Sequence, residues 1–154
     1  STQTPGRLNL FQFKQFQFLV DFAHNPAGLE LLCDFVSKLD GEPKVGIISG
    51  TGDRRNEDIK ELGKISGRYF DEIIIRQDKN LRGRTAEEIV NLLVKGINET
   101  KTKDIPVTII LNEKEAIMHA YNNAKPGSLI TIMCDVVAEA LDLIKGLKEK
   151  EDAE

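Results

Sequence analysis

Apolar residues recur along this chain in two patterns that alternate with each other. Short continuous runs, among them "KVGIIS", "EIIIR", "VTIIL" and "LITIMCD", are bounded by polar residues and predict buried strands. Between them lie longer segments with an apolar residue at every third or fourth position, which predicts helices with one buried face each. The predicted buried positions in the helices include Leu29, Leu32, Cys33, Val36, Leu39, Ile59, Leu62, Ile65, Ile89, Leu92, Leu93, Ile97, Val136, Val137, Ala140, Leu141, Ile144 and Leu147.

The N-terminal part of the chain predicts a hairpin. Leu8 to Phe13 and Phe16 to Phe22 are rich in residues that favour strands, and the two segments are joined at Lys14-Gln15, a plausible tight turn. A helix is then expected from Pro26, with Asn25 as its N-cap.

Further helix starts carry their own signals. Residues 85–88 form the capping box Thr-Ala-Glu-Glu, Asn112 with Glu115 fits a second cap, and a helix is expected over Asn56 to Tyr69. The last seven residues, "KEKEDAE", are expected to form a solvated, frayed tail.

Apolar strands that alternate with amphipathic helices predict a largely parallel sheet covered on both faces. The fold class is therefore α/β: a Rossmann-like three-layer sandwich of about six mostly parallel strands, with helices on both faces and one antiparallel edge strand from the N-terminal hairpin.

Composition narrows the functional classes. Of the 154 residues, 40% are apolar and 30% charged, and the net charge of −4 argues against a nucleic-acid or acidic-membrane surface. No apolar run approaches 18 residues and no signal peptide is evident, so a cytoplasmic protein is expected. Cys33 and Cys134 are expected as buried apolar residues rather than as a disulfide, and two Cys and two His without ligand spacing predict no metal site.

The candidate chemistry lies where the predicted strands end. Ligands of open α/β sheets bind outside the carboxyl ends of the strands. Three polar loops are expected there, Asp21 to Asn25, Gly50 to Arg55 and Gln77 to Arg84, together with Asp135 at the end of the last strand.

Each candidate has a purely structural alternative. Asp21 can accept bonds from loop amides, Asn25 can cap the helix, and His24 can be an ordinary loop histidine or stack on a nucleotide. The glycines of the second loop can serve a simple turn or expose backbone N–H groups to an anion. The arginines can be solvated or can bind a carboxylate or phosphate, and Asp53 and Asp78 can orient them or bind a cationic substrate.

Motif searches leave the reaction open. The chain has no G-x-x-x-x-G-K-[ST] phosphate loop, and Gly50-Thr51-Gly52 is only a G-x-G. From the residues alone, the prediction is an α/β domain with a charged crevice that can bind an anion.

Three segments carry a resemblance to a known family. "PGRLNLF", "LVDFAHNPAGLE" and "GTGDRRNEDIKELG" resemble the C-terminal domain of the Mur ligase family, and the resemblance extends over nearly all of residues 5–145. Phe22 stands where that family usually has Tyr. "IIIRQDKNLRGRTAEE" and "AKPGSLITIMCD" resemble the family members that attach arginine to the β-carboxyl group of an aspartate polymer, and the D-N-P-R motif of the peptidoglycan ligases is missing from the third loop.

The resemblance implies an ATP-dependent amide ligase that works through an acyl phosphate. A preceding central domain of the same chain is expected to hold the phosphate loop and most of the Mg²⁺ ligands, and the present domain to close over it. Residues 1–6 are then a linker remnant, 7–147 the C-terminal domain and 148–154 the charged tail. By itself this domain is expected to be inactive.

Residue roles follow from the same resemblance. Arg7 matches the arginine that reaches the ATP phosphates, which makes it the expected catalytic residue. Asp21, His24 and Asn25 match positions on the ATP side.

The incoming amino acid is assigned to the other two loops. Asp53 and Arg54 match the G-D-R loop on the amino-acid side. In the third loop we expect Asp78 to pair with the guanidinium of an arginine substrate and Arg82 or Arg84 with its α-carboxylate.

Two alternatives stay open: a stand-alone nucleotide- or anion-binding module without ligase activity, and another Mur-type ligase, such as a peptidoglycan or polyglutamate ligase.

Overall fold

A computed structural model of the chain describes residues 8–50, 55–134 and 136–154. The described residues form one six-stranded sheet in the order β1-β2-β6-β3-β4-β5. The strands are β1 (Asn9–Gln12), β2 (Gln17–Asp21), β3 (Lys44–Ile48), β4 (Glu72–Ile75), β5 (Val107–Ile109) and β6 (Leu129–Met133).

The N-terminal hairpin forms as predicted. Strand β1 runs antiparallel to β2, with Asn9 opposite Val20 and Gln12 opposite Gln17. The turn is closed by the backbone N–H of Phe13, which donates to the carbonyl oxygen of Phe16 at 2.8 Å. All other strand pairs are parallel, so β1 is the antiparallel edge strand that the sequence predicts.

Among the described residues, four helices connect the strands and a fifth follows β6: α1 (Pro26–Ser37), α2 (Asn56–Tyr69), α3 (Ala86–Thr100), α4 (Glu113–Asn122) and α5 (Val137–Ala153). Three predicted caps are confirmed. The side chains of Asn25, Thr85 and Asn112 accept bonds from backbone N–H groups in the first turns of α1, α3 and α4.

The helices cover both faces of the sheet. Helices α1, α2 and α3 pack on one face, around Leu19, Ile48 and Ile73 of the strands. Helices α4 and α5 pack on the other face, where the apolar residues of the hairpin complete the core. The three-layer α/β sandwich expected from the sequence is therefore confirmed.

The C-terminal segment differs from the expectation. Residues 148–154 were expected to fray, but α5 continues to Ala153. The reason is contact with the hairpin turn: the backbone N–H of Lys14 donates to Glu151 at 2.8 Å, and the ammonium of Lys148 lies 6.0 Å from the ring centre of Phe13. The expectation that Val136 points inward is also wrong, because it caps α5 and is 36% exposed.

Helices α2 and α3 pack against each other closely, and glycines determine how near they come. A Cβ atom on Gly96 would lie 2.1 Å from the carbonyl oxygen of Lys60, and one on Gly63 would lie 2.2 Å from that of Leu93. Both obstacles are backbone atoms, which cannot rotate away. The interface therefore requires glycine at these two positions, because it has no room for a Cβ atom.

We expect Gly96→Ala to lower the free energy of unfolding of this chain by about 1–3 kcal/mol, because the overpacked methyl group forces the two helices apart. Gly146→Ala in α5 is the matched control, since a Cβ there meets nothing within 4 Å. Alanine has the higher helix propensity, so the control should be neutral or stabilising. Urea denaturation of both variants makes the comparison, and equal stability of the two would contradict the packing argument.

Candidate functional site

The parallel strands all end at one edge of the sheet, and the helices that follow them diverge there. Chains leaving β2, β3 and β4 pass to the α1–α3 face, whereas those leaving β5 and β6 pass to the opposite face. Where neighbouring strands send their helices to opposite faces, a crevice opens between the loops. This occurs beside β6 and between β4 and β5.

The loop after β2 is held by its own side chains. A carboxylate oxygen of Asp21 accepts the backbone N–H of Ala23 at 2.9 Å. The side chain of Asn25 accepts the backbone N–H of Gly28 at 2.8 Å, which is the N-cap of α1. The structural alternatives stated for Asp21 and Asn25 are thus both realised, and both residues lie at the carboxyl edge.

His24 lies differently, since its side chain is exposed at the mouth of a cleft. Its ring centre is 5.2 Å from that of Phe22, with the planes inclined at 46°, and Nδ1 lies 3.2 Å from the carbonyl oxygen of Phe22. Phe22 is itself 42% exposed. Two exposed aromatic rings at a crevice are suited to stacking on a planar ligand.

The cleft behind these rings has a volume of about 110 Å³ and lies at the ends of four strands, β2, β3, β4 and β6. Besides the β2 loop, it is lined by Ser49 after β3, Arg76 and Asp78 after β4, and Met133 and Cys134 from β6. The structure therefore brings together His24 and Asp78, two candidates 54 positions apart in sequence.

Asp78 is buried to 9% exposure and is already engaged within the protein. Its Oδ1 accepts Nη1 of Arg76 at 2.7 Å and the hydroxyl of Ser49 at 3.0 Å. The Arg76 side chain is almost completely buried, and its Nε and Nη2 donate to the carbonyl oxygen of Met133 at 3.0 and 2.6 Å. Its Nε also lies 3.1 Å from the carboxylate of Glu113 at the start of α4.

A second cavity, of about 350 Å³, opens on the other side of Asp78. Its polar lining includes Gln77, Glu113 and Glu139, while its apolar lining comes from Leu111, Ile117, Ala140 and Leu143. Lys79 pairs with Glu139 at 2.6 Å, so the third loop is tied to the first turn of α5.

The arginines of the third loop lie elsewhere. Neither Arg82 nor Arg84 lines either of the two cavities. Arg84 donates to the side-chain oxygen of Asn56 at 2.6 Å and pairs with Glu88 at 3.2 Å, which fastens the loop to α2 and α3. Arg82 is exposed and has a positive φ of 54°.

Five sequence candidates fall outside the described residues: Arg7, Gly52, Asp53, Arg54 and Asp135. Gly50 lies within the described residues, and close packing explains why this position holds a glycine. A Cβ atom there would lie 2.7 Å from Ile89 and 2.9 Å from Ile59.

Sequence reasoning missed Arg76 and Ser49. The available signal was a cation at the end of the buried run "EIIIR", followed two positions later by an acid, because a charge on a buried strand requires a partner nearby. Ser49 had no comparable signal, since a serine ending a strand is ordinary.

Burial changes two acid–base properties at this edge. It raises the pKa of the Asp21 carboxyl above its ordinary value, although backbone N–H groups of Ala23 and Phe22 act in the opposite direction. It also raises the pKa of the Cys134 thiol to about 12, so that this side chain stays neutral. The Cys134 thiol donates to the carbonyl oxygen of Asp21 at 3.2 Å.

No group of three or more His, Cys, Asp or Glu side chains in the described parts of the chain is placed to hold a metal ion. Likewise, no helix among those residues combines the length and apolar character that crossing a membrane needs.

Comparison with known proteins identifies the family. The family model described as the glutamate ligase domain of Mur ligases matches residues 6–135. Cyanophycin synthetase of Synechocystis is 40% identical over 146 residues, which are 95% of this chain and 16% of that protein. The chain therefore spans about one sixth of the length of this relative.

Solved structures agree on the fold. The structure of UDP-N-acetylmuramoyl-L-alanyl-D-glutamate–2,6-diaminopimelate ligase has a TM-score of 0.76 and 20% identity, over 96% of this chain and 33% of that one. Mycobacterium tuberculosis folylpolyglutamate synthase complexed with ADP has a TM-score of 0.66 and 22% identity, over 94% of this chain and 33% of that one. The resemblance inferred from the sequence motifs is thus confirmed, both for the family and for its similarity to cyanophycin synthetase.

The raised pKa of Asp21 predicts a pH-dependent effect of its substitution. At a pH above 3.8, the ordinary pKa of an aspartate, the unfolded chain carries an ionised Asp21, and folding transfers this charge to a partly buried position at a cost in free energy. The cost disappears at low pH, where Asp21 is protonated in both the folded and the unfolded protein. Asp21→Asn should therefore increase the free energy of unfolding at pH 7, and the increase should shrink as the pH falls towards 3.5. Urea denaturation across this pH range measures it.

Asp71 is the control of opposite sign. Burial acts to raise the pKa of its carboxyl, but Lys103 and the backbone N–H of Lys44 outweigh burial and lower it. Asp71→Asn should thus reduce stability at pH 7, with the loss shrinking as acid protonates the native carboxylate. If Asp21→Asn and Asp71→Asn changed the free energy of unfolding at pH 7 in the same direction, the raised pKa of Asp21 would be contradicted.

Proposed function

This chain belongs to the Mur ligase family, as its glutamate ligase domain, and from that premise we propose that it is the closing C-terminal domain of an ATP-dependent amide ligase. The enzyme proposed is a cyanophycin synthetase, which attaches arginine to the β-carboxyl group of aspartate in a polymer. The observation that carries the proposal is 40% identity to cyanophycin synthetase along 95% of the chain. The site geometry supports it, because a cleft with an aromatic mouth and a cavity with acidic groups share one wall.

The proposed reaction proceeds through an acyl phosphate. ATP supplies the phosphoryl group that activates the acceptor carboxylate, and the amine of the incoming amino acid then displaces phosphate to form the amide. Mg²⁺ is assigned mainly to a central domain of the same polypeptide. Closure of the present domain over that partner domain brings the reactants together and excludes water that would hydrolyse the activated carboxylate.

The nucleotide side is assigned to the loop after β2. The exposed rings of His24 and Phe22 suit stacking against a nucleotide base, and the pair lies at the carboxyl edge, where ligands of such sheets bind. Asp21 and Asn25 shape this loop through their bonds to Ala23 and Gly28. Arg7 is proposed to stabilise charge on the ATP phosphates.

The amino-acid side is assigned to the second and third loops, with Asp53, Arg54, Asp78 and either Arg82 or Arg84 as its residues. Asp78 is the most constrained of them. Both of its bonds from the protein go to Oδ1, and among the described residues no donor contacts Oδ2. A guanidinium is a suitable partner for such a carboxylate.

Of the two arginines proposed for the substrate α-carboxylate, Arg82 is the better placed. Arg84 is already committed to Asn56 and Glu88, whereas Arg82 is exposed on the loop.

Ligation by the complete enzyme tests the proposal. The product of the open reading frame that contains this chain is assayed for ADP release with an aspartate polymer and arginine, then with other amino acids. Turnover with arginine alone is the expected result. Turnover with another amine but not with arginine would support the Mur ligase mechanism and rule out arginine as the substrate. No turnover with any amine would favour a stand-alone binding module.

Two substitutions in that enzyme should separate the two sides of the site. We expect Asp78→Ala to raise the KM for arginine about tenfold or more while the KM for ATP changes little, because a buried charged contact to the amino acid is lost. An unchanged KM for arginine would remove Asp78 from the substrate site.

His24→Ala should do the reverse and raise the KM for ATP about three- to tenfold, as loss of one stacking ring does. His119→Ala is its matched control, since His119 is the other histidine of the chain and lies exposed on α4. Equal effects of the two histidine substitutions would contradict the nucleotide assignment.

A further inference from the structure

Arg76 connects more of the carboxyl edge than any candidate that the sequence singled out. It directly follows β4, is 2% exposed, and points its guanidinium beneath the loops. Nε and Nη2 donate to the carbonyl oxygen of Met133 on β6, and Nη1 donates to the carbonyl oxygen of Gln77 and to Asp78. With Glu113 at 3.1 Å, the guanidinium binds two strand ends, the third loop and the start of α4.

Asp78 lines both cavities: the 110 Å³ cleft, which His24 also lines, and the 350 Å³ cavity. The donors that orient its carboxylate are Arg76 Nη1 and the Ser49 hydroxyl, and both converge on Oδ1. The orientation of this carboxylate is therefore set by two buried side chains.

The wall of the larger cavity carries charged groups of both signs. The guanidinium of Arg76 faces the carboxylates of Asp78 and Glu113, Lys79 pairs with Glu139, and Lys114 also lines the cavity. The Asp78 carboxylate complements a cationic group of a ligand, and the apolar residues Leu111, Ile117 and Leu143 complement an aliphatic stem.

Gln77 also lines this cavity. Among the residues that the structure describes, its side-chain oxygen is buried without a hydrogen-bond partner.

We propose that Arg76 is the positioning residue of the amino-acid site. Its guanidinium holds the Asp78 carboxylate between the two cavities, so that Asp78 receives the cationic side chain of the incoming amino acid in the larger one. Arg76 itself does not touch the substrate. This inference rests on the proposed function, because it concerns the amino acid that the ligase takes.

Lysine cannot fill this role. The guanidinium reaches Met133 through Nε and Nη2 and Asp78 through Nη1, whereas an ammonium is a single point charge. Arg76→Lys preserves the charge and removes the fork, which makes it the informative substitution. Removing the cation altogether would leave the buried carboxylate of Asp78 and the half-buried one of Glu113 without their partner and endanger folding.

The test is a double-mutant cycle on KM in the complete enzyme. Arg76→Lys and Ser49→Ala are each made alone and together with Asp78→Ala, and KM for arginine, KM for ATP and kcat are measured. We expect Arg76→Lys to raise the KM for arginine about tenfold and Ser49→Ala about threefold, with the KM for ATP within about twofold of the wild type. In the Asp78→Ala background, neither Arg76→Lys nor Ser49→Ala should raise the KM for arginine further, because both residues act through Asp78.

Matched controls separate positioning from general damage. Lys44 is another buried cation, paired with Glu42 at the opposite edge of the sheet, and Ser66 is another buried serine, bonded within α2. Lys44→Met and Ser66→Ala should leave the KM for arginine unchanged even where they lower thermal stability. Ser49→Ala keeps the test valid if Arg76→Lys does not fold.

The outcomes separate the two proposals. If the wild type ligates arginine but the effects of Arg76→Lys and Ser49→Ala add to that of Asp78→Ala, or if both KM values rise together, the positioning role is overturned and the proposed function stands. If the enzyme ligates another amine, the same cycle on that amine decides the role. If it ligates none, the proposed function is overturned, and the positioning role with it.

Discussion

A buried guanidinium has to find partners for its charge and its N–H groups within the protein, and Arg76 finds all of its recorded partners at the carboxyl edge. Strand β4 carries this cation into the interior directly after three consecutive isoleucines. The loops must therefore supply oxygen atoms to it: a backbone carbonyl from β6, a carboxylate from the third loop and another from α4. This requirement constrains the conformation of the edge, since displacing these partners would leave buried N–H groups or a buried charge without compensation.

The same cation explains how an open crevice can keep a defined shape. Helices that diverge to opposite faces leave the strand ends without a packed apolar roof. Ion pairs and hydrogen bonds take its place here, and Ser49 joins Asp78 so that the loops after β3 and β4 are linked. Two cavities lie at this edge, and Asp78 lines both of them. In the ligase that we propose, one serves the nucleotide and the other the incoming amino acid.

The chain belongs to the Mur ligase family as its glutamate ligase domain and spans 16% of the cyanophycin synthetase that it resembles. The carboxyl edge is the surface that the proposed closure would cover. Exposed Phe22 and His24 at that edge are consistent with groups that are covered only after closure. Helices α2 and α3, which Gly63 and Gly96 allow to pack closely, lie beneath the loops that follow β3 and β4.

The sequence by itself determined the order of strands and helices, the helix caps and the edge on which the candidate loops gather. These features follow from local rules: the spacing of apolar residues sets helix or strand, and cap residues such as Asn25, Thr85 and Asn112 act within one turn. Tertiary structure alone decided which polar groups meet. His24 and Asp78 share a cleft because β6 lies between β2 and β3, a strand order that no local pattern encodes. Arg76 became central for the same reason, since its main acceptor, the carbonyl oxygen of Met133, is 57 positions away. The C-terminal helix persists to Ala153 because the distant hairpin turn contacts it, and Arg84 fastens a loop because Asn56 happens to face it. Contacts between residues far apart in the chain depend on how the layers pack, and that information lies in the complete fold.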